Sequence, residues 1–182
     1  MDPIVVANKL TRQVNAPDGV LTILDNVDFQ VIPGEAVAVT GASGSGKSTL
    51  LGLLAGFDVP TRGSVHLLGQ DLATLSEDAK AALRAGNVGL VCQSFHLLPS
   101  LPALENVLLA LELAGVVGAE ARAREILDEV GLAHRLRHFP RQLSGGEQQR
   151  VGLARAFAVS PQILFALSLI HISEPTRRTP IS

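Results

Sequence analysis

A segment rich in glycine and serine constrains the fold of this chain more than any other feature. Residues 41–49 have the sequence GASGSGKST, follow the apolar run AVAVT at residues 36–40 and lead into the helical pattern KSTLLGLLAG. The segment fits G-x-x-x-x-G-K-[S/T], a loop whose backbone N–H groups curl around a polyphosphate. The motif predicts a buried strand, a tight loop and a helix in succession. A glycine-serine linker is the alternative, but a linker has no need of Lys-Ser-Thr at a strand-to-helix junction.

Each residue type in this loop suits the binding of a nucleoside triphosphate. The glycines let the backbone curl, and the helix that follows presents free N–H groups and the positive end of its dipole. Lys47 can reach the β- and γ-phosphates, and the hydroxyl of Ser48 can ligate Mg²⁺. The predicted nucleotide-binding residues are Gly41, Ala42, Ser43, Gly44, Ser45, Gly46, Lys47, Ser48 and Thr49.

Short β-prone runs alternate with helical patterns along the rest of the chain. This alternation is typical of an α/β domain with a mainly parallel sheet, and a length of 182 residues suits one such domain. Ser76 is a predicted N-cap for one of the helices. The patterns predict a short β-prone run at residues 4–10, strands at 27–31, 36–40, 64–68, 88–92 and 163–166, and helices at 47–56, 76–84, 104–114, 119–130 and 147–158.

The composition excludes several classes of protein. The 15 Lys and Arg nearly balance the 17 Asp and Glu, so attraction to nucleic-acid phosphates is not expected. A single cysteine, Cys92, excludes a disulfide framework and a cysteine-rich zinc site. Tyr and Trp are absent, so platforms for stacking bases are not expected either. The sequence shows no signal peptide and no apolar stretch of membrane-spanning length, which predicts a cytoplasmic protein.

A second motif, LSGGEQQR at residues 143–150, opens another helix. The tripeptide Ser-Gly-Gly alone is explained equally well by Ser144 acting as a simple N-cap. The whole octet, however, resembles the signature sequence of ABC-type ATPases. Gln93 resembles the glutamine of that family's Q-loop, and LENV at residues 104–107 resembles the stretch after it. The similarity covers residues 4–166 and is greatest to the LolD, MacB and YbbA-like branch, which serves lipoprotein release and macrolide-type export.

The resemblance implies a P-loop NTPase (RecA-like) α/β core with an N-terminal antiparallel β element and an inserted helical subdomain at about residues 93–143. It implies a head-to-tail dimer in which each ATP lies between one phosphate loop and the partner's signature residues. The implied signature residues are Ser144, Gly145, Gly146 and Glu147, and Ser48 and Gln93 would hold Mg²⁺. The implied partners are a second nucleotide-binding subunit and membrane permease subunits, at the inner face of the cell membrane, with no nucleic acid.

The chain departs from the family at the adenine position. ABC ATPases usually stack an aromatic side chain near the N-terminus on the base, but residues 11–19 contain none. Stacking of a base is worth about 1–3 kcal/mol. Either adenine is held less tightly here, or Val14 supplies an apolar contact in place of the aromatic ring.

The second departure concerns catalysis. In the family, an apolar run such as ILFA at residues 163–166 leads into the Mg²⁺-binding Asp and catalytic Glu of the Walker B motif, but Leu167 and Ser168 stand there. Neither side chain replaces a carboxylate base. We interpret SEPT at residues 173–176 as a coincidence and His171 as fortuitous. The hypothesis is a partial nucleotide-binding domain at residues 1–166, followed by a non-family, artefactual tail at 167–182.

The leading functional hypothesis is an ATP-binding subunit that powers an ABC exporter or lipoprotein-release transporter through ATP-driven dimer closure and hydrolysis. Because the Walker B carboxylates are missing, we expect this chain to be deficient in hydrolysis. Two alternatives stay open: a regulatory or cell-division ABC ATPase, and a degenerate subunit that only binds ATP. DNA-repair relatives are disfavoured because they carry long coiled-coil insertions.

Overall fold

The computed structural model describes residues 2–91 and 96–166. Two long strands, β1 (Val5–Ala16) and β2 (Gly19–Val31), form an antiparallel hairpin that turns at Pro17 and Asp18. β1 pairs on its other side with β3 (Arg62–Leu67), which pairs with the short β4 (Gln70–Asp71). The strand order β2-β1-β3-β4 gives the antiparallel N-terminal element that was predicted.

The helix α1 (Lys47–Leu54) packs its apolar face on this sheet. Leu53 and Leu54 are fully buried, as are Leu10 of β1 and Leu67 of β3. Burying a leucine side chain stabilises the fold by about 1.5–3 kcal/mol, so these contacts fix the helix on the sheet. We call this the sheet core. Its other buried members are Val5, Ala7, Leu24, Leu50, Ala55, Val65, Leu72 and Phe165.

The helix α2 (Glu77–Arg84) leads into a pair of parallel strands, β5 (Val88–Val91) and β6 (Ile163–Ala166). The predicted cap of α2 is confirmed, since the Ser76 hydroxyl accepts a hydrogen bond from the Ala79 N–H at 3.2 Å. Three helices separate these two strands along the chain: α3 (Ala103–Leu113), α4 (Ala119–Glu129) and α5 (Gly145–Ala158).

These three helices enclose a second apolar cluster, which we call the helical core. Val107 and Leu111 of α3 meet Leu127 of α4 and Val151 of α5, and all four are fully buried. Asn106 of α3 is 1% exposed and ties the preceding loop to the helix. No helix in the described ranges is long and apolar enough to cross a bilayer.

The prediction of a strand at residues 36–40 is wrong in this structure. The segment forms no ladder with the other described strands, and Val37 is 45% exposed. An apolar run becomes a parallel strand only where a neighbour supplies hydrogen-bond partners, and no described strand pairs with this run. For the same reason, the expectation of a mainly parallel sheet is wrong for the described residues, whose larger sheet is antiparallel.

Candidate functional site

The phosphate loop turns sharply into α1 through two glycines in the left-handed region. Gly44 has φ 80° and Gly46 has φ 86°, and Gly46 is the N-cap of the helix. Glycine adopts these angles without the steric cost that a Cβ atom imposes. The Ser45 N–H donates to the Ala42 carbonyl at 3.2 Å and closes a tight turn. The loop therefore has the curled backbone that its sequence predicted.

Gly46 also fits because β2 lies directly against the loop. A Cβ atom added there would lie 3.1 Å from the Ile23 carbonyl oxygen and 3.1 Å from a methyl carbon of Leu24. The backbone of the hairpin consequently sets the position at which the helix begins. Glycine at this point serves both the backbone angle and the close packing.

The N-terminus of α1 is open to an anion. Gly46 provides no side-chain cap, and the first turn of the helix contains no acidic residue. The leading N–H groups of a helix lack intrahelical partners, and together with the dipole they attract negative charge. The Ser48 side chain is exposed and makes no hydrogen bond with the described residues.

The side chain of Lys47 folds back over the loop. Its ammonium donates to the carbonyl oxygens of Gly41 at 2.7 Å and Ala42 at 2.6 Å, and approaches the Ser45 hydroxyl at 3.5 Å. An ammonium is a flexible point charge with three donors, so it can exchange carbonyl oxygens for phosphate oxygens. Lys47 holds the loop closed and stays within reach of any anion bound there.

The N-terminus of α5 is built differently, as a complete capping box. The Ser144 hydroxyl accepts from the Glu147 N–H at 3.2 Å, and one carboxylate oxygen of Glu147 accepts from the Ser144 N–H at 2.7 Å. The structure therefore shows Ser144 acting as an N-cap. The hydroxyl proton of Ser144 and the N–H groups of Gly145 and Gly146 remain available to a ligand, and the space beside both glycines is open.

Glu147 makes a second contact that the sequence analysis did not foresee. The Arg135 Nε donates to its other carboxylate oxygen at 2.9 Å, and Arg135 Nη1 lies 3.2 Å from His138 Nε2. The hydrogen bonds from Ser144, helped by Arg135, lower the pKa of Glu147 to about 2. The pairing of Arg135 with Glu147 has no signal in the sequence, because a separation of 12 residues across two turns follows no helical or strand period.

Gln148 braces the loop that precedes α5, the helix that begins in the signature motif and that we call the signature helix. Its side-chain amide donates to the carbonyl oxygens of Pro140 at 3.0 Å and Leu143 at 3.2 Å. These hydrogen bonds hold the backbone that leads into α5 and so fix the position of Ser144, the N-cap of the helix. Gln148 thus supports the signature from the second turn of the same helix.

The two motifs belong to different parts of the molecule. The phosphate-loop helix packs on β1 and β3, whereas the signature helix packs on α3, α4 and β5. Gln93 and the residues at the Walker B positions, Leu167 and Ser168, lie outside the described residues, as do His171 and residues 173–176.

The described residues suit a Mg²⁺ ion that arrives with a nucleotide. They contain no group of three or more His, Cys, Asp or Glu able to hold a metal alone. In nucleotide sites, Mg²⁺ takes one or two protein oxygens and completes its shell with phosphate oxygens and water. The exposed hydroxyl of Ser48 beside the open helix end fits such a role.

Comparison with known proteins identifies the family. The family model for the ABC transporter matches residues 24–166. The chain is 52% identical over 165 residues to the ABC transporter ATP-binding protein YbbA of Escherichia coli, covering 90% of this chain and 72% of that protein. It is 49% identical over 167 residues to the lipoprotein-releasing system ATP-binding protein LolD 2 of Caulobacter vibrioides, covering 91% and 73%.

Solved structures give the same result. A dimeric post-hydrolysis state of the ATP-binding cassette MJ0796, bound to ADP and Pi, matches with a TM-score of 0.84 at 38% identity. The match covers 89% of this chain and 72% of that cassette. The predicted P-loop NTPase fold is therefore confirmed, and this chain belongs to the ABC transporter family as one of its ATP-binding proteins.

Proposed function

We propose that this chain is the ATP-binding subunit of an ABC exporter or lipoprotein-release transporter. The observation that carries the proposal is that one chain contains two helix N-termini of opposite design. One is uncapped and carries Lys47 and Ser48, and the other is capped by Ser144 and offers two glycine N–H groups. The names of the relatives YbbA and LolD support the class of transporter.

In this proposal, ATP bound as its Mg²⁺ complex closes a head-to-tail dimer. Lys47 releases the carbonyl oxygens of its loop and donates to the phosphates, while the open end of α1 stabilises their charge. Ser144, Gly145 and Gly146 donate to the ATP held by the partner subunit. The dimeric cassette among the similar structures supports this assembly. The helical subdomain at residues 93–143 would face membrane permease subunits on the cytoplasmic side.

Hydrolysis is expected to be weak in the chain as written. Leu167 and Ser168 stand where the family has its Walker B carboxylates, and neither can polarise an attacking water. ATP binding does not depend on that base, because the loop and the helix dipole supply the contacts to the phosphates. We therefore propose that this chain binds ATP without hydrolysing it efficiently.

Titration of the purified chain with Mg²⁺-ATP tests the proposal. Calorimetry should show ATP binding, Lys47→Ala should weaken the affinity by about 100-fold, and Lys9→Ala on an exposed part of β1 should change nothing. A coupled phosphate assay should show no turnover above background. An affinity unaffected by Lys47→Ala would refute the proposed site, and robust Mg²⁺-dependent turnover would refute the deficiency in hydrolysis.

A further inference from the structure

The signature helix contains an electrostatic conflict. Glu147 lies in the first turn of α5, at the same helix end that donates to phosphate in the proposed function, on which this inference rests. A carboxylate stabilises such a helix end through the dipole, but it also repels an incoming phosphate. The Glu147 side chain is 14% exposed and lies in the first turn of α5, so its charge acts on a phosphate at that helix end.

The cap itself needs the carboxylate. One oxygen of Glu147 accepts from the Ser144 N–H at 2.7 Å, and this bond holds the serine in its place. The Ser144 hydroxyl accepts from the Glu147 N–H, so its own proton remains free to be donated. Removing the charge would relieve the repulsion, but an uncharged side chain would hold the serine less firmly.

Arg135 resolves this conflict. Its Nε donates to the second oxygen of Glu147 at 2.9 Å, and among residues 2–91 and 96–166 it is the one cation paired with that carboxylate. The arginine comes from a separate short helical turn, Ala133–Arg135, anchored by the fully buried Leu132. His138 Nε2 lies 3.2 Å from its Nη1 and helps orient the guanidinium.

We infer that Arg135 is a positioning residue for the partner's ATP: it neutralises Glu147 so that the carboxylate can hold Ser144 without repelling the phosphate. Arg135 touches neither ATP nor the reacting atoms in this arrangement. It acts through Glu147 and Ser144 and keeps the N-terminus of α5 electropositive. The neighbouring Arg137 is exposed and forms no ion pair with the described residues, so it provides a matched control.

The test measures the Mg²⁺-ATP concentration for half-maximal dimerisation, by sedimentation of the full chain at low and moderate salt. We expect Arg135→Gln to raise this concentration by about tenfold, most strongly at low salt, and Arg137→Gln to leave it unchanged. Glu147→Gln added to Arg135→Gln should restore it to within about threefold of wild type, because the repelling charge is gone. The ATP affinity of each monomeric variant should equal that of the wild type, and this equality shows that the variant is folded.

The outcomes separate this inference from the proposed function. A wild-type chain that never dimerises with ATP would contradict the proposed dimer. A wild type that dimerises no better than Arg135→Gln, or a double variant without rescue, would overturn only the role of Arg135. If no dimer forms, amide shifts of Gly145 and Gly146 on titration with tripolyphosphate, in a Lys47→Ala background, decide the inference. A weaker response with Arg135→Gln supports it, and an equal response overturns it.

Discussion

At the scale of single residues, the charge of Glu147 stands out. Its pKa is lowered to about 2, chiefly by the hydrogen bonds from Ser144 and further by Arg135. These bonds exist in the folded chain and are lost on unfolding, so the ionised carboxylate favours the folded state. Arg135 and Ser144 therefore link the stability of the signature helix to pH.

The pH dependence of stability tests this link. Because the folded-state pKa is depressed, the stabilisation is present above the ordinary value of 4.5 and is lost as pH falls toward 2. Urea unfolding at about pH 7 should show Glu147→Gln to be less stable than wild type, and the difference should shrink at about pH 3. Glu112→Gln, at an exposed position, is the control. A difference that stays constant with pH would argue against the link.

At the scale of the elements, an irregular stretch of β1 depends on one glycine of β3. The register of β1 against β3 shifts between Asn8 and Thr11, and Lys9 takes φ 46° there. Gly63 crosses this point with φ 86°, and a Cβ atom would overlap the carbonyl oxygens of Lys9 and Asn8. The two strands can pair here only because Gly63 lacks a side chain.

Substitution of that glycine should loosen the sheet. Gly63→Ala is expected to lower the free energy of unfolding by about 3 kcal/mol, because rigid backbone atoms must move. Gly69→Ala is the matched control, since Gly69 has φ 76° but open space around it. The control should cost only the backbone strain of about 1 kcal/mol. Equal losses for the two variants in urea titrations would contradict the packing argument.

Asn106 has a comparable role in the helical core. Its side-chain oxygen accepts from the Leu98 N–H at 2.8 Å, and its amide donates to three carbonyl oxygens, that of Leu101 at 2.8 Å. The residue is 1% exposed, so every one of these bonds is shielded from water. Asn106 thereby fixes the loop that enters α3.

An isosteric change isolates this network. Asn106→Asp keeps the shape but replaces two donors with a carboxylate facing carbonyl oxygens, and it should destabilise the fold by about 3 kcal/mol. Asn15→Asp at an exposed site of β1 should change stability by less than about 0.5 kcal/mol. Thermal unfolding followed by circular dichroism measures both. A mild effect of Asn106→Asp would mean that water reaches the site.

At the scale of the whole molecule, the described residues form two apolar cores, and each core carries one of the motifs. The helix α1 belongs to the sheet core, and the signature helix α5 belongs to the helical core. If each ATP site combines the phosphate loop of one chain with the signature of its partner, a chain damaged in one motif should be complemented by a chain damaged in the other. A dimer of one chain damaged in its phosphate loop and one damaged in its signature has one intact ATP site.

Mixing two variants that do not dimerise on their own tests this arrangement. Gly146→Asp is expected to block the partner's phosphate while preserving the helix, because the space there is open and an acidic residue suits the first turn. Neither Gly146→Asp nor Lys47→Ala alone should dimerise with ATP, whereas their mixture should do so. Gly146→Ala is the uncharged control. Sedimentation measures the dimer, and a mixture that stays monomeric would argue against completion in trans.

The sequence by itself determined the local chemistry of both motifs. The loop at residues 41–49, the start of α1 and the cap at Ser144 follow from neighbouring residues, because backbone angles and capping bonds span only a few positions. Tertiary structure alone decided which distant groups meet. The apolar run at residues 36–40 has no neighbouring strand in the described ranges, and Arg135 finds Glu147 across two turns. Such partners depend on how whole elements pack, and no short-range pattern records that packing.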